Sequence, residues 1–159
     1  YPFMKRITFW PQLFLGLTFN WGIIMAWSSV NPSFSIEVIV LYAAAIFWTL
    51  GYDTIYGFQD IEDDEIIGVK STSIKFKQNP KIFLSICYFI FTLLFAITGI
   101  KLNFNYYFFL GAITILFHLL VIQIMSFDKK NKEKCLKIFK SNNFLGLIIL
   151  ICILIGKLN

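Results

Sequence analysis

The sequence predicts an all-α fold of the membrane class: a multi-span transmembrane helical bundle of about five spans, in one domain covering residues 1–159. Three observations predict it. Hydrophobic residues make up 58% of the chain and charged residues only 14%, with a mean hydropathy of +0.73, outside the range of ordinary soluble domains. Uncharged runs recur at lengths that suit a bilayer, which takes about 20 apolar residues per crossing helix. Basic residues gather between alternate runs, as membrane topology requires.

The first uncharged run, residues 7–36, is long enough for one helix over about residues 12–30, followed by a break at Asn31-Pro32-Ser33. A second run starts near Phe34 and continues past Leu50 to Asp53, with Glu37 near its far mouth. Asn79-Pro80 interrupts a polar stretch ahead of the third span, residues 82–100. A turn over 101–105 leads to the fourth, about 106–127. The fifth is expected over 143–156, with Ser141 and Asn142 as caps and Lys140 and Lys157 snorkelling to its ends. The chain carries no internal repeat and no low-complexity tract.

Charge orients the bundle. Lys5, Arg6, Lys70, Lys75, Lys77, Lys81, Lys129, Lys130, Lys132, Lys134, Lys137 and Lys140 fall on one side, and only Lys101 and Lys157 on the other. By the positive-inside rule the lysine-rich face is cytoplasmic, or faces the matrix in a mitochondrial inner membrane. Within it, residues 128–140 read either as a plain basic loop or as a short amphipathic helix on anionic lipid, with Cys135, Leu136 and Phe139 inward. Nucleic-acid binding is excluded as a class: the net charge of +5 follows from topology, and the aromatics lie in apolar runs, not among the basic residues. Cys87, Cys135 and Cys152 are too scattered for a disulfide framework or a metal cluster and read as packing residues. His118, without a second ligand at metal spacing, reads as a neutral histidine hydrogen-bonded inside the bundle. The chain opens on Tyr1 with no initiator Met and no leader ahead of a cleavage site, and is expected to be the downstream half of a longer or interrupted chain.

The chemistry concentrates in one stretch. Asp53, Asp60, Glu62, Asp63, Asp64 and Glu65, six of the nine acids, fall within thirteen residues directly after an apolar run. At about 100° per residue, an unbroken helix returns Asp60 and Asp64 to within about 20° of Asp53, with Tyr56 nearby. Asp60 and Asp64, at i and i+4, have Cβ atoms about 6 Å apart, close enough to share a cation. Hard oxygen donors suit Mg²⁺, which takes one or two carboxylates and completes its shell with water and phosphate. The alternative is a solvated acidic loop that merely ends a membrane helix. Carboxylates at a membrane mouth are costly, which favours a functional role.

Tyr52-Asp53-Thr54-Ile55-Tyr56, Gln59-Asp60, Asp63-Asp64 and Gly68-Val69-Lys70-Ser71-Thr72 resemble the second Asp-rich motif of the membrane aromatic prenyltransferases. The likeness is strongest to the branch that acts on 4-hydroxybenzoate in ubiquinone biosynthesis. Tyr1-Pro2-Phe3-Met4-Lys5-Arg6, Pro11-Gln12 and Leu15-Gly16 resemble the same family, as do Cys135, Phe139, Asn142-Asn143 and Gly146. The resemblance implies the C-terminal part of a nine-helix bundle that uses Mg²⁺, with polyprenyl diphosphate and 4-hydroxybenzoate as substrates. It implies Asp60 and Asp64 as the Mg²⁺–diphosphate residues, with Asp53 and Tyr56 lining the same pocket. Arg6 is then the substrate-anion residue, with Lys5 and Lys70 beside it; topology alone also accounts for Lys5 and Arg6. The family's first Asp-rich motif has no counterpart here. The chain alone is therefore expected to be inactive, and a separately encoded N-terminal half is a candidate partner. The alternatives are a non-catalytic membrane remnant and a related prenyltransferase with another acceptor. A transporter is weaker, since no span carries paired charges at its middle.

Overall fold

The computed structural model describes residues 3–31 and 33–158, and among them there is helix but no strand. In chain order the helices are α1 (Met4–Ile7), α2 (Pro11–Phe19), α3 (Trp21–Val30), α4 (Ile36–Gly57), α5 (Ile61–Ile67), α6 (Thr72–Lys75), α7 (Pro80–Lys101), α8 (Tyr106–His118) and α9 (Lys132–Lys157). A π-helical segment, Leu119–Met125, continues α8. By length and composition five spans can cross a membrane: α2–α3 together, α4, α7, α8 with its π-helical continuation, and α9.

Local chemistry sets several ends. Pro11 and Pro80 open α2 and α7, where a missing N–H costs nothing. Asn105 and Asn131 cap α8 and α9, their side chains accepting from the backbone N–H of Phe108 and Lys134. Gly68, at φ 77°, stops α5 in the left-handed conformation that glycine tolerates.

Two span boundaries differ from the sequence expectation. The first span is not one helix: it breaks at Asn20, whose side-chain amide donates to the Gly16 carbonyl and to Thr49 Oγ1, both at 2.8 Å. The last helix starts eleven residues earlier than expected, at Lys132. Ser141 and Asn142 therefore lie inside α9 and do not cap it; they donate back to carbonyls one turn earlier, Ser141 to Ile138 and Asn142 to Ile138 and Phe139. Residues 132–140 are thus the first turns of a spanning helix, neither a loop nor a separate surface helix.

Helices α4, α7, α8 and α9 close a ring, each packed on the next, and α2–α3 lies against the outer side of α4. The ring is filled by Tyr88, Phe91, Phe95, Phe108, Ile115, Leu119 and Leu145. Small residues let backbones approach: a Cβ on Gly51 would run into the Tyr88 ring, and one on Gly99 into Phe108. A polar seam crosses the core. The Tyr88 hydroxyl donates to Gln123 Oε1, Gln123 Nε2 donates to Asn142 Oδ1 at 2.7 Å, and Trp48 Nε1 donates to the same oxygen at 2.9 Å. Gln123 sits in the π-helical segment and is fully buried. The three cysteines are free and buried, as packing residues should be. His118 is buried too, but its Nδ1 lacks the expected hydrogen-bond partner.

The ends of the bundle segregate charge. Lys101 and Lys157 close α7 and α9 at one end, where the Asn105 N–H donates to the Gly156 carbonyl. At the other end the Lys70 N–H donates to the Lys5 carbonyl and the Lys129 ammonium to the Lys77 carbonyl. The acid-rich stretch lies at this lysine-rich end, where α4 stops.

Candidate active site

The site begins with the anchoring of the chain on either side of the acids. Thr54, fully buried in α4, donates to the Leu50 carbonyl and meets Thr72 Oγ1 at 2.6 Å. Ser73 Oγ donates to the Thr54 carbonyl at 2.8 Å, and the Thr72 N–H donates to Gln12 Oε1 at 3.0 Å. Gln12, Thr54, Ser71, Thr72 and Ser73 are all buried. This polar clamp joins α2, α4 and α6, so residues 58–70 leave and return to one fixed point.

Between the clamp's arms the helix does not continue. α4 ends at Gly57 and α5 starts at Ile61, so the single stripe holding Asp53, Asp60 and Asp64 is not formed. The geometry expected of an uninterrupted helix fails because Gly57, Phe58 and Gln59 turn the chain and bury Phe58. Asp53 stays in α4, buried. Asp60 is the residue before α5, and its carboxylate does not cap that helix. The Asp64 N–H donates to the Asp60 carbonyl at 2.8 Å, so these two acids keep their i, i+4 relation one turn apart. Asp60 is exposed; Asp64 is half-buried, with Lys5 Nζ 3.8 Å from its Oδ2.

Among the described residues no three histidines, cysteines or acids converge as a metal-binding set. The donor chemistry nevertheless fits Mg²⁺, because one or two carboxylates suffice for that ion when phosphate and water complete its shell. Asp60 and Asp64 are such a pair. Of the other acids of α5, Glu62 pairs with Lys132 at 3.3 Å and Glu65 with Lys77 at 2.7 Å, while Asp63 is exposed.

The expected cationic residues are placed unequally. Lys5 reaches Asp64. Arg6 is exposed on α1. Among the described residues Lys70 forms no ion pair with the acids: its ammonium donates to the Ile7 carbonyl at 3.2 Å and lies 5.6 Å from the Phe9 ring.

Tyr56 belongs to a larger aromatic wall. Its ring packs 4.6 Å from Phe139, which meets Tyr52 at 5.7 Å; Tyr52 meets Trp48 at 5.6 Å, and Trp48 stacks on Phe91 at 5.8 Å. Trp48, Tyr52 and Tyr56, at i, i+4 and i+8, form one stripe of α4 leading down from the acids. Of the three, Tyr52 and Tyr56 stand in the sequence motif, and only Tyr56 is given a site role by it. The spacing of the other two is the signal that would have found them.

Comparison with known proteins bears on this arrangement. Residues 1–148 match the model of the UbiA prenyltransferase family. The mitochondrial 4-hydroxybenzoate polyprenyltransferase of Bos taurus is 45% identical over 99% of this chain, that of Homo sapiens 44% over 99%, and that of Dictyostelium discoideum 41% over 99%. The chain spans 43%, 43% and 34% of the lengths of those relatives. No solved structure matches it. Since the family model covers nearly the whole chain, including the polar clamp, the acid-rich turn and the aromatic wall, the chain belongs to the UbiA prenyltransferase family.

Proposed function

We propose that this chain is the part of a 4-hydroxybenzoate polyprenyltransferase that carries one of two acid motifs, moving a polyprenyl group from its diphosphate to the carbon ortho to the acceptor's hydroxyl. The carrying observation is identity of 41–45% to such enzymes over 99% of the chain, with Asp60 and Asp64 left one turn apart. Asp60 and Asp64 are the Mg²⁺ residues, and the ion would neutralise the diphosphate leaving group. Asp53 and Tyr56 line the pocket beside them, and Arg6, Lys5 and Lys70 supply positive charge for the anionic substrates.

The reaction is an electrophilic aromatic substitution. The allylic C–O bond to diphosphate breaks, the ring carbon ortho to the hydroxyl forms the new C–C bond, and that carbon then loses its proton. Ortho attack follows because the oxygen donates electrons ortho and para, and the carboxylate occupies para. The faces of Tyr56, Tyr52 and Phe139 suit a developing cation, each at about 0.5–2 kcal/mol. The apolar spans shelter the isoprenoid tail, in an inner membrane whose cytoplasmic or matrix side holds the lysine-rich end.

One acid motif is half of the family's pair, so the chain turns over only together with an N-terminal half. The test is co-expression of the chain with the upstream half of a relative, in liposomes supplied with Mg²⁺, polyprenyl diphosphate and 4-hydroxybenzoate. Prenylated product only with both halves supports the reading, and turnover by the chain alone removes it. Homogentisate and a naphthoate, run beside 4-hydroxybenzoate, test the acceptor; preference for either reassigns the substrate within the family.

A further inference from the structure

Beside α5 and the start of α7, two neighbouring cavities open at the lysine-rich end. The first, about 380 Å³, is lined by Phe58, Ile61, Glu62, Lys77, Lys129, Lys130 and Lys132. The second, about 490 Å³, lies beside the start of α7, with Lys81, Ile82, Phe127 and Lys129 among its walls. Lys129 borders both. Phe58, in the wall of one, packs edge-on against Phe127, in the wall of the other, at 5.2 Å. Both rings are buried, so the two basins, rimmed by ammonium groups, share one apolar wall as well as Lys129.

Positive charge is in excess in the first basin: four lysines line it with Glu62, while Glu65 reaches Lys77 from outside and Asp128 lines the adjoining basin. Three of the four are held in place: Lys129 donates to the Lys77 carbonyl at 3.0 Å, Lys132 pairs with Glu62 and Lys77 with Glu65; in the second basin Lys81 reaches the Met125 carbonyl at 3.5 Å. Their depth is fixed by the spans, since α7 begins at Pro80 and the fourth span ends at Met125. A bilayer crossed by these spans would place its headgroups at this level. Directly below, Ile82 is 61% and Met125 71% exposed, an apolar surface suited to acyl chains.

We propose that these basins form a headgroup site for an anionic phospholipid, with its phosphate among Lys77, Lys129, Lys130 and Lys132 and its acyl chains along Ile82 and Met125. Basic pockets between spanning helices are suited to such headgroups, and each lysine near an anionic surface adds about fivefold in affinity. The same lysines pair with Glu62 and Glu65 of α5, so occupancy of the basin bears directly on the helix that carries Asp64.

The purified chain in a neutral detergent is titrated calorimetrically with dioctanoyl phosphatidylglycerol, dioctanoyl phosphatidylcholine and inorganic phosphate. Binding of phosphatidylglycerol at least about tenfold tighter than either is expected. The triple variant K77Q/K129Q/K132Q should weaken it by on the order of tenfold to a hundredfold. The single variant K129Q, at the residue common to both basins, should weaken it several-fold. The triple K134Q/K137Q/K140Q, which removes equal charge from the same end outside the basins, should leave it within about twofold. Equal losses in the two triples would reduce the effect to diffuse surface charge and overturn the site. Inorganic phosphate binding as tightly as the lipid would also overturn it, in favour of a soluble anion. K129Q keeps the question open to decision should the first triple fail to fold, since an unchanged affinity there rejects the shared basin.

Discussion

Two polar regions of this bundle handle their hydrogen-bonding capacity in opposite ways. In the seam of Trp48, Tyr88, Gln123 and Asn142, side chains from four spans point inward and satisfy one another. At the acid-rich turn, Asp60 precedes a helix whose N-terminus its carboxylate does not cap, and it stays exposed. A polar group enclosed by a membrane bundle must be paired or it destabilises the fold. The exposed Asp60 carboxylate carries no such duty in the fold. If the turn serves the proposed chemistry, substitutions in the seam and in the turn should separate stability from activity.

The largest expected effect is on the turn. In a full-length enzyme carrying this half, Asp60→Ala and Asp64→Ala should each reduce Mg²⁺-dependent turnover by on the order of a thousandfold, about 4 kcal/mol of transition-state stabilisation. Thermal stability should change by no more than about 0.5 kcal/mol at exposed Asp60, and by up to about 1 kcal/mol at Asp64, which gives up its ion pair with Lys5. Activity within tenfold of the parent, measured by product mass spectrometry, would remove both residues from the metal site. The seam should show the reverse. Gly51→Ala directs a methyl into the Tyr88 ring, and that ring is fully buried with its hydroxyl held by Gln123. It cannot swing aside, so a cost near the top of the overpacking range, about 3 kcal/mol, is expected in denaturant unfolding. A cost under about 0.5 kcal/mol would mean that α4 and α7 slide apart freely.

The sequence made the spans legible because lipid imposes a simple rule: some twenty apolar residues per crossing, with charge outside. What it hid were features that leave this count unchanged. Asn20 is uncharged within an uncharged run, so the break between α2 and α3 does not show in hydropathy. The first turns of α9 are rich in lysine and read as loop, yet Cys135, Ile138 and Asn142 follow at helical spacing and are buried. The acid stripe failed for a related reason. A 100° step holds only while the helix persists, and Gly57 was the local warning that it does not. Only the backbone link from Asp64 to Asp60 is kept, because the two stand at the start of one helix, Asp60 at its cap position and Asp64 in its first turn. The seam was out of reach altogether: Trp48 and Asn142 are 94 residues apart and Tyr88 and Gln123 are 35 apart, and nothing local to any of them signals the partner.

A smaller effect tests how the seam distributes its strength. Asn142 Oδ1 accepts from both Trp48 and Gln123, so Asn142→Ala strands two buried donors. Hydrogen bonds between spans average about 0.6 kcal/mol and reach about 1.7, and a stranded donor adds its own desolvation cost. A loss of about 1–2 kcal/mol is expected, with turnover in the full-length enzyme preserved per folded molecule. Should turnover collapse while the folded fraction holds, the seam would belong to the site through Trp48 and the aromatic wall.

The smallest effect lies where the two regions' logics meet, at Lys5 and Asp64. Their separation of 3.8 Å, with side chains 35% and 15% exposed, describes an ion pair worth no more than about 1 kcal/mol, so Lys5→Met should scarcely move the unfolding midpoint. Its consequence should appear in metal dependence. If Lys5 only neutralises Asp64 while no divalent cation is bound, removing it frees that carboxylate, and the Mg²⁺ concentration for half-maximal activity should fall by up to about fivefold, the equivalent of 1 kcal/mol. If Lys5 instead grips the diphosphate, the Mg²⁺ requirement should hold and the KM for polyprenyl diphosphate should rise. The two outcomes differ in which titration moves, so one variant measured against both ligands decides whether this lysine serves the carboxylate or the substrate.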